Sequence, residues 1–134
     1  MYLKEKIKEL NELKIKLNLL KKYVNNKNNL ESDYNNKVIT KLFNTLENIQ
    51  NAKLVIRKIN SQTNISIGNS SVDLNTAVII RDTLKEKINT ITELIDNNTD
   101  LDIISLIEQR DAFIEELDSI GVLISITDWS VKID

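Results

Sequence analysis

Proline is absent from this chain, and for most of its length the apolar residues recur at spacings of three and four. Proline deletes a backbone donor and breaks a helix interior, so without it each periodic stretch is free to run on as one helix. A period near 3.6 gathers apolar side chains on one face, which another element must cover. The apolar fraction of 41% comes mainly from Ile and Leu, and aromatics supply only 4%. Aliphatic residues at helical spacing mean helix packed on helix. The expected fold is all-α, an antiparallel bundle of about four helices with a polar loop or small β-hairpin between the second and third. With 134 residues, the chain is expected to form a single helical domain, 1–134.

The first helix is expected at about 3–24, where Leu3, Leu10, Leu17 and Val24 repeat every seven residues and Leu13 and Leu20 fill the companion seam. That heptad face is the expected route to a homo-oligomer. "NNKNNLESDYNN" then reads as a surface loop. The second helix is expected at about 36–60, with Val38, Leu42, Leu46, Ile49, Ile56 and Ile59 on one side. A polar loop, 61–74, follows. Within it "NISIGNSSVDL" alternates Ile65, Ile67, Val72 and Leu74 around a Gly-Asn-Ser turn, which suits a hairpin. The third helix is expected at about 75–97, capped by Asp73 or Asn75, with Ala77, Ile80, Leu84, Ile88, Ile91 and Ile95 inward. Asn97 and Asn98 should end it. The fourth is expected at about 100–127, starting after Thr99 or Asp100 and carrying Ile103, Ile104, Ile107, Ile114 and Leu117. Gly121 either stops that helix, leaving "VLISI" as a strand, or is tolerated in a helix reaching Trp129; the longer helix is the preferred reading.

Composition removes whole classes of chemistry. The chain holds neither cysteine nor histidine. Disulfides, thiolate metal sites and the commonest general base and metal ligand go with them. The acidic pairs Glu115-Glu116 and Asp100 with Asp102 lack the histidines of a di-metal helical bundle. No enzyme, metal or cofactor is therefore expected. Charge interrupts the N-terminal stretch at nearly every turn, and no segment approaches a membrane span, so neither a signal peptide nor membrane insertion is expected and the cytoplasm is the expected location.

Charge divides along the chain. Residues 1–60 hold 13 Lys or Arg against 6 Asp or Glu, a net of +7, and residues 61–134 hold 5 against 14, a net of −9. These account for the overall −2. The lysines of the first helix alternate with glutamates and no aromatic platform accompanies them, so nucleic acid is not an expected partner. Basic and acidic halves are expected to neutralise each other within the fold or across a symmetric pair.

Only three residues are arginine: Arg57, Arg81 and Arg110. Arginine presents a planar fork of donors that suits carboxylate or phosphate, which lysine does not reproduce. Arg57 falls at the end of the second helix and Arg81 two turns into the third, on either side of the polar stretch containing Asn60, Thr63 and Asn64. A polar loop beside a helix N-terminus suits an anion. The expected ligand site gathers Arg57, Asn60, Thr63, Asn64, Arg81 and Asp82 for a small anionic, nucleotide-like ligand. The structural alternative has Arg81 tied to a carboxylate on a neighbouring helix, and Asn60, Thr63 and Asn64 turning the backbone. Side chains at i and i+1 do not face each other on a helix, so Arg81-Asp82 and Arg110-Asp111 are each expected to find other partners. Trp129 is expected to anchor packing, with a place in the ligand set as the alternative.

Several of these stretches together resemble the septicolysin-like family of small bacterial helical proteins. "KINSQTN" resembles its Ile-Asn-x-Thr-Asn signature with one extra residue, through Ile59, Asn60, Thr63 and Asn64. "LNTAVIIRDTL" resembles its Leu-Thr-x-Ala helix start and Arg-Asp pair, through Leu74, Ala77, Arg81, Asp82 and Leu84. "ISITDW" keeps Ile124 and Trp129 of its terminal Ile-Gln-x-x-Asn-Trp, with Ser125 and Asp128 in place of Gln and Asn. Asp102, Leu106, Asp111 and Glu116 also fall on family-like positions. Two departures stand out: "DNNTD" replaces an Arg- and Ser-containing segment, and Asp118 replaces an Arg. The resemblance implies a helical fold and, through the family label, a cytolysin, whereas the narrow, charge-interrupted stripes point to bundle core. The function expected from the residues is a non-catalytic oligomeric protein that captures or sequesters a small anionic ligand. A helical protein-protein interaction module is the alternative.

Overall fold

The structure, a computed structural model, describes residues 1–26, 32–97 and 102–133. It is all-α with one small hairpin, in the order α1 (Leu3–Asn26), α2 (Ser32–Gln62), β1 (Asn64–Ile67), β2 (Ser70–Asp73), α3 (Leu74–Asn97) and α4 (Ile103–Ser130). The helices lengthen at both sides of the first connection. Asn25 and Asn26 belong to α1 and 32–36 to α2, so these seven residues are helix rather than loop, and 27–31 lie outside the described residues. Asn and Ser are poor helix formers in an interior but are common at helix ends.

The chain divides into two compact units, 1–59 with 131–134, and 60–130. In the first, α1 buries Leu3 and Leu17 and half-buries Leu10, Leu13, Leu20 and Val24, so its heptad face is largely covered within the single chain. The inward positions of α2 are Val38, Leu42, Thr45, Ile49, Ala52 and Ile56, alternating by three and four. Leu46, expected on that side, is 39% exposed. Thr45 takes the inward place because its hydroxyl donates to the Lys41 carbonyl oxygen at 2.7 Å, which satisfies the group inside the helix itself. Chain ends meet in this unit. Tyr2 and Lys132 form an antiparallel bridge, the Leu3 amide donates to Val131 O at 2.8 Å, and the Ile133 amide donates to Met1 O at 2.7 Å.

The second unit is built on a strand-to-helix junction without a loop. β1 and β2 pair with Asn64 opposite Asp73 and Ile67 opposite Ser70. Gly68 opens the two-residue turn with φ near +59°, the backbone that a type II′ hairpin asks of its first central residue. Beyond the last pair, the Leu74 amide donates to Thr63 O at 2.8 Å, and Asp73 Oδ1 accepts from the Thr76 amide at 2.7 Å. Asp73 is thus both the last strand residue and the cap of α3. Hydrogen bonds from the Thr76 hydroxyl and then its amide hold the Asp73 carboxyl below its ordinary value.

α3 and α4 pack against each other, and the hairpin packs on both. Ile65, Leu74, Ala77, Leu84, Ile91, Ile120 and Ile124 are buried. The described part of α4 begins at Ile103, where Asp102 Oδ1 accepts from the Ser105 amide at 3.1 Å. Asp102 is therefore its cap; Asn98, Thr99 and Asp100 lie outside the described residues. α4 passes through Gly121 and ends at Ser130, one residue past the expected limit of the longer helix. Ile80 of α3 and Ile104 and Ile114 of α4, expected inward, are 37%, 71% and 38% exposed. Leu117 is half-buried as expected, and Phe113, which the expected row omitted, is half-buried too, with Lys87 Nζ 5.2 Å from its ring centre.

Candidate functional site

The residues expected to form one ligand site are distributed over different features. Arg57 is exposed on α2, lining a shallow depression of about 380 Å³ with Leu46, Gln50, Lys53 and Leu54. Asn60, in the last turn of α2, is 8% exposed and its Oδ1 is buried without a hydrogen-bond partner. Thr63 gives its carbonyl oxygen to the base of the hairpin, and Asn64 is the exposed first residue of β1. Trp129 is 45% exposed near the end of α4.

Arg81 lies elsewhere, on the α3–α4 side of its unit. It lines a cleft of about 490 Å³ with Lys85, Leu117, Asp118, Gly121, Val122 and Ser125. None of Asn60, Thr63 and Asn64 lines that cleft. Arg81 Nε donates to Asp82 Oδ1 at 3.1 Å, which corrects the expectation that these neighbours do not meet. The i, i+1 rule concerns Cβ directions, whereas the guanidinium sits at the end of a stem long enough to turn sideways along the helix. Both groups are partly solvated, so the pair adds little to stability. It does occupy one edge of the guanidinium, and Asp118 adds a second carboxylate at the cleft. Lys85 is the other cationic residue lining the cleft.

A different pattern dominates the exposed surface. On α4, Val122, Leu123, Ile126 and Trp129 are 59%, 37%, 59% and 45% exposed, although only Ile120, Ile124 and Asp128 are buried. This end of the helix therefore carries exposed apolar residues as well as its buried Ile120 and Ile124. Next to it, Ile67, Ile80, Leu84 and Leu123 line a cleft of about 500 Å³ together with Glu115, Glu116 and Ser119. α2 shows the same doubling. Ile39, Phe43, Leu46 and Leu54 are 37%, 63%, 39% and 59% exposed, on a side distinct from its buried row. The sequence signal for both faces was present as apolar residues out of phase with the inward stripe.

Compared with protein-family models, curated proteins and solved structures, the chain matches none. Of the motif positions singled out in the sequence, Asn60, Leu74, Ala77, Leu84 and Ile124 are all buried. Among the described residues no helix is long and apolar enough to cross a membrane, and no three acidic, His or Cys side chains form a group suited to a metal ion.

Proposed function

We propose that this protein works by binding another helix-bearing protein surface through exposed apolar helix faces, without turning over a substrate. The observation that carries the reading is the C-terminal part of α4, which leaves large apolar side chains open to solvent in addition to the Ile120 and Ile124 it buries. A helix with apolar residues all round is ordinarily enclosed, and here Val122, Ile126 and Trp129 follow at i, i+4 and i+7 on the open side. Such spacing is what a groove-binding or coiled partner helix reads. The absence of His and Cys from the chain agrees with binding rather than acid-base or thiol chemistry.

Bis-ANS fluorescence of the full chain, with its sedimentation behaviour, tests this. The wild type should either bind the dye or associate, and Val122→Gln with Ile126→Gln should reduce both while leaving the helical circular-dichroism signal intact. A wild-type chain that neither binds the dye nor associates refutes the reading. A second reading, capture of a small anionic nucleotide-like ligand, is favoured by Arg81 and Lys85 lining one cleft. A thermal-shift screen of nucleotides tests it. Ligand at 100 times its dissociation constant adds roughly 2.7 kcal/mol, an effect Lys85→Gln should abolish.

A further inference from the structure

The exposed faces of α2 and α4 are complementary to each other, residue by residue. On α2, Phe43, Leu46, Gln50 and Lys53 follow at steps of three, four and three. On α4, read in the opposite chain direction, Ile126, Leu123, Ser119 and Glu116 follow at the same steps. Laid antiparallel in that register, Phe43 meets Ile126, Leu46 meets Leu123, Gln50 meets Ser119 and Lys53 meets Glu116. Two apolar contacts are followed by an amide beside a hydroxyl and then by opposite charges. All eight side chains are exposed in the single chain. The alternation of three and four is that of helices packing along a shallow crossing angle.

We infer that the partner of these faces is a second copy of this chain, with α2 of one copy lying antiparallel along α4 of the other, Lys53 opposite Glu116. This rests on the proposed binding role of the open helix faces and names their occupant. Charge selects the second copy over a like face meeting itself. The α2 depression carries Lys53 and Arg57, and the α4 cleft carries Glu115 and Glu116. The charged residues lining the α4 cleft are both acidic, so an α4–α4 pairing sets acid against acid, whereas the unlike pairing sets Lys53 against Glu116. The same polarity runs through the chain, with a net of +7 over residues 1–60 and −9 over 61–134. The lengths also agree. From Phe43 to Lys53 and from Glu116 to Ile126 are ten steps each, roughly 15 Å of helix. The contact joins two different faces, so it closes reciprocally as a twofold dimer or repeats around a ring. The α1 heptad row, largely covered within the chain, is not used.

The test is sedimentation of the full chain at micromolar concentration with a charge swap. Wild type should exceed the 15.4 kDa of one chain. Lys53→Glu and Glu116→Lys should each raise the dissociation constant by roughly tenfold or more, because each sets like charges face to face, and the double swap should recover most of the loss. Phe43→Gln should also dissociate the assembly, and emission from Trp129 should shift as the α4 face opens to water. Ile15→Gln with Leu19→Gln, on the exposed side of α1, should leave the mass unchanged. A wild type that stays monomeric while binding bis-ANS overturns the second copy as partner and leaves the binding role standing. An assembly indifferent to the charge swap, or dissolved by the α1 changes, overturns the proposed faces.

Discussion

Replacing Asn60 with Leu is expected to stabilise the protein. Asn60 is 8% exposed and its Oδ1 has no hydrogen-bond partner, a condition that costs about 1–3 kcal/mol for a neutral polar group. Leucine keeps the branching at Cγ, removes the orphaned acceptor and gains a few tenths of a kcal/mol of helix propensity in the last turn of α2. Its larger volume opposes part of that gain. The expected balance is roughly 1–2 kcal/mol in favour of the variant. An unfolding entropy near 2.1 cal/mol/K per residue gives about 0.28 kcal/mol/K over 134 residues, so the melting temperature should rise by about 3–7 °C. Urea titration and thermal melting followed by circular dichroism measure both quantities. Asn60→Asp serves as the opposite control, since a charge in the same place should destabilise. A loss of more than about 1 kcal/mol in Asn60→Leu refutes the reasoning, and where the larger side chain still fits it means that Oδ1 is satisfied in solution by water or a bound ligand. Asn60 then belongs to a site rather than to a junction.

The two glycines should respond in opposite directions to alanine. Gly121→Ala adds a methyl with nothing within 4 Å in the middle of α4 and should stabilise by about 0.5–1 kcal/mol in a urea titration, whereas Gly68→Ala, at φ near +59°, should destabilise by about 1 kcal/mol. Leu74→Ala, at a fully buried position where β2 becomes α3, should cost about 2–5 kcal/mol by the same measurement. Asp73 links stability to acid. Its folded carboxyl lies below the ordinary value, so its stabilisation is complete above that value and is lost as pH falls through the lower, folded one. Asp73→Asn should therefore flatten the acid limb of the stability curve, and an unchanged limb counts against the cap.

Much of the fold is legible from local rules. The heptad row of α1, the inward row Ala77, Leu84, Ile88, Ile91 and Ile95 of α3, and the capping carboxylate at Asp73 all follow from 3.6-residue periodicity and cap chemistry. The hairpin follows from Ile65, Ile67 and Val72 alternating around a glycine with positive φ. The errors are equally physical. Leu46, Ile80, Ile104 and Ile114 were expected inward because periodicity fixes which residues share a stripe but not which of two apolar stripes is covered. Arg81 and Asp82 were separated by a rule about Cβ directions that a long guanidinium stem escapes.

The candidate site shows the same division. Scarcity of arginine and the density of polar residues between Ile59 and Leu74 made that stretch conspicuous, yet Asn60, Thr63 and Asn64 end at a helix terminus and a hairpin base while Arg81 lines a cleft between α3 and α4. Nearness along the chain says little about where a side chain on a helix points after it packs. By itself the sequence determined helix, turn and cap, because each depends on groups a few residues apart. Only the tertiary structure decided that α4 buries Ile120 and Ile124 and leaves Val122 and Ile126 open. Both pairs are equally apolar, and which one loses its water depends on what the rest of the chain lays against it.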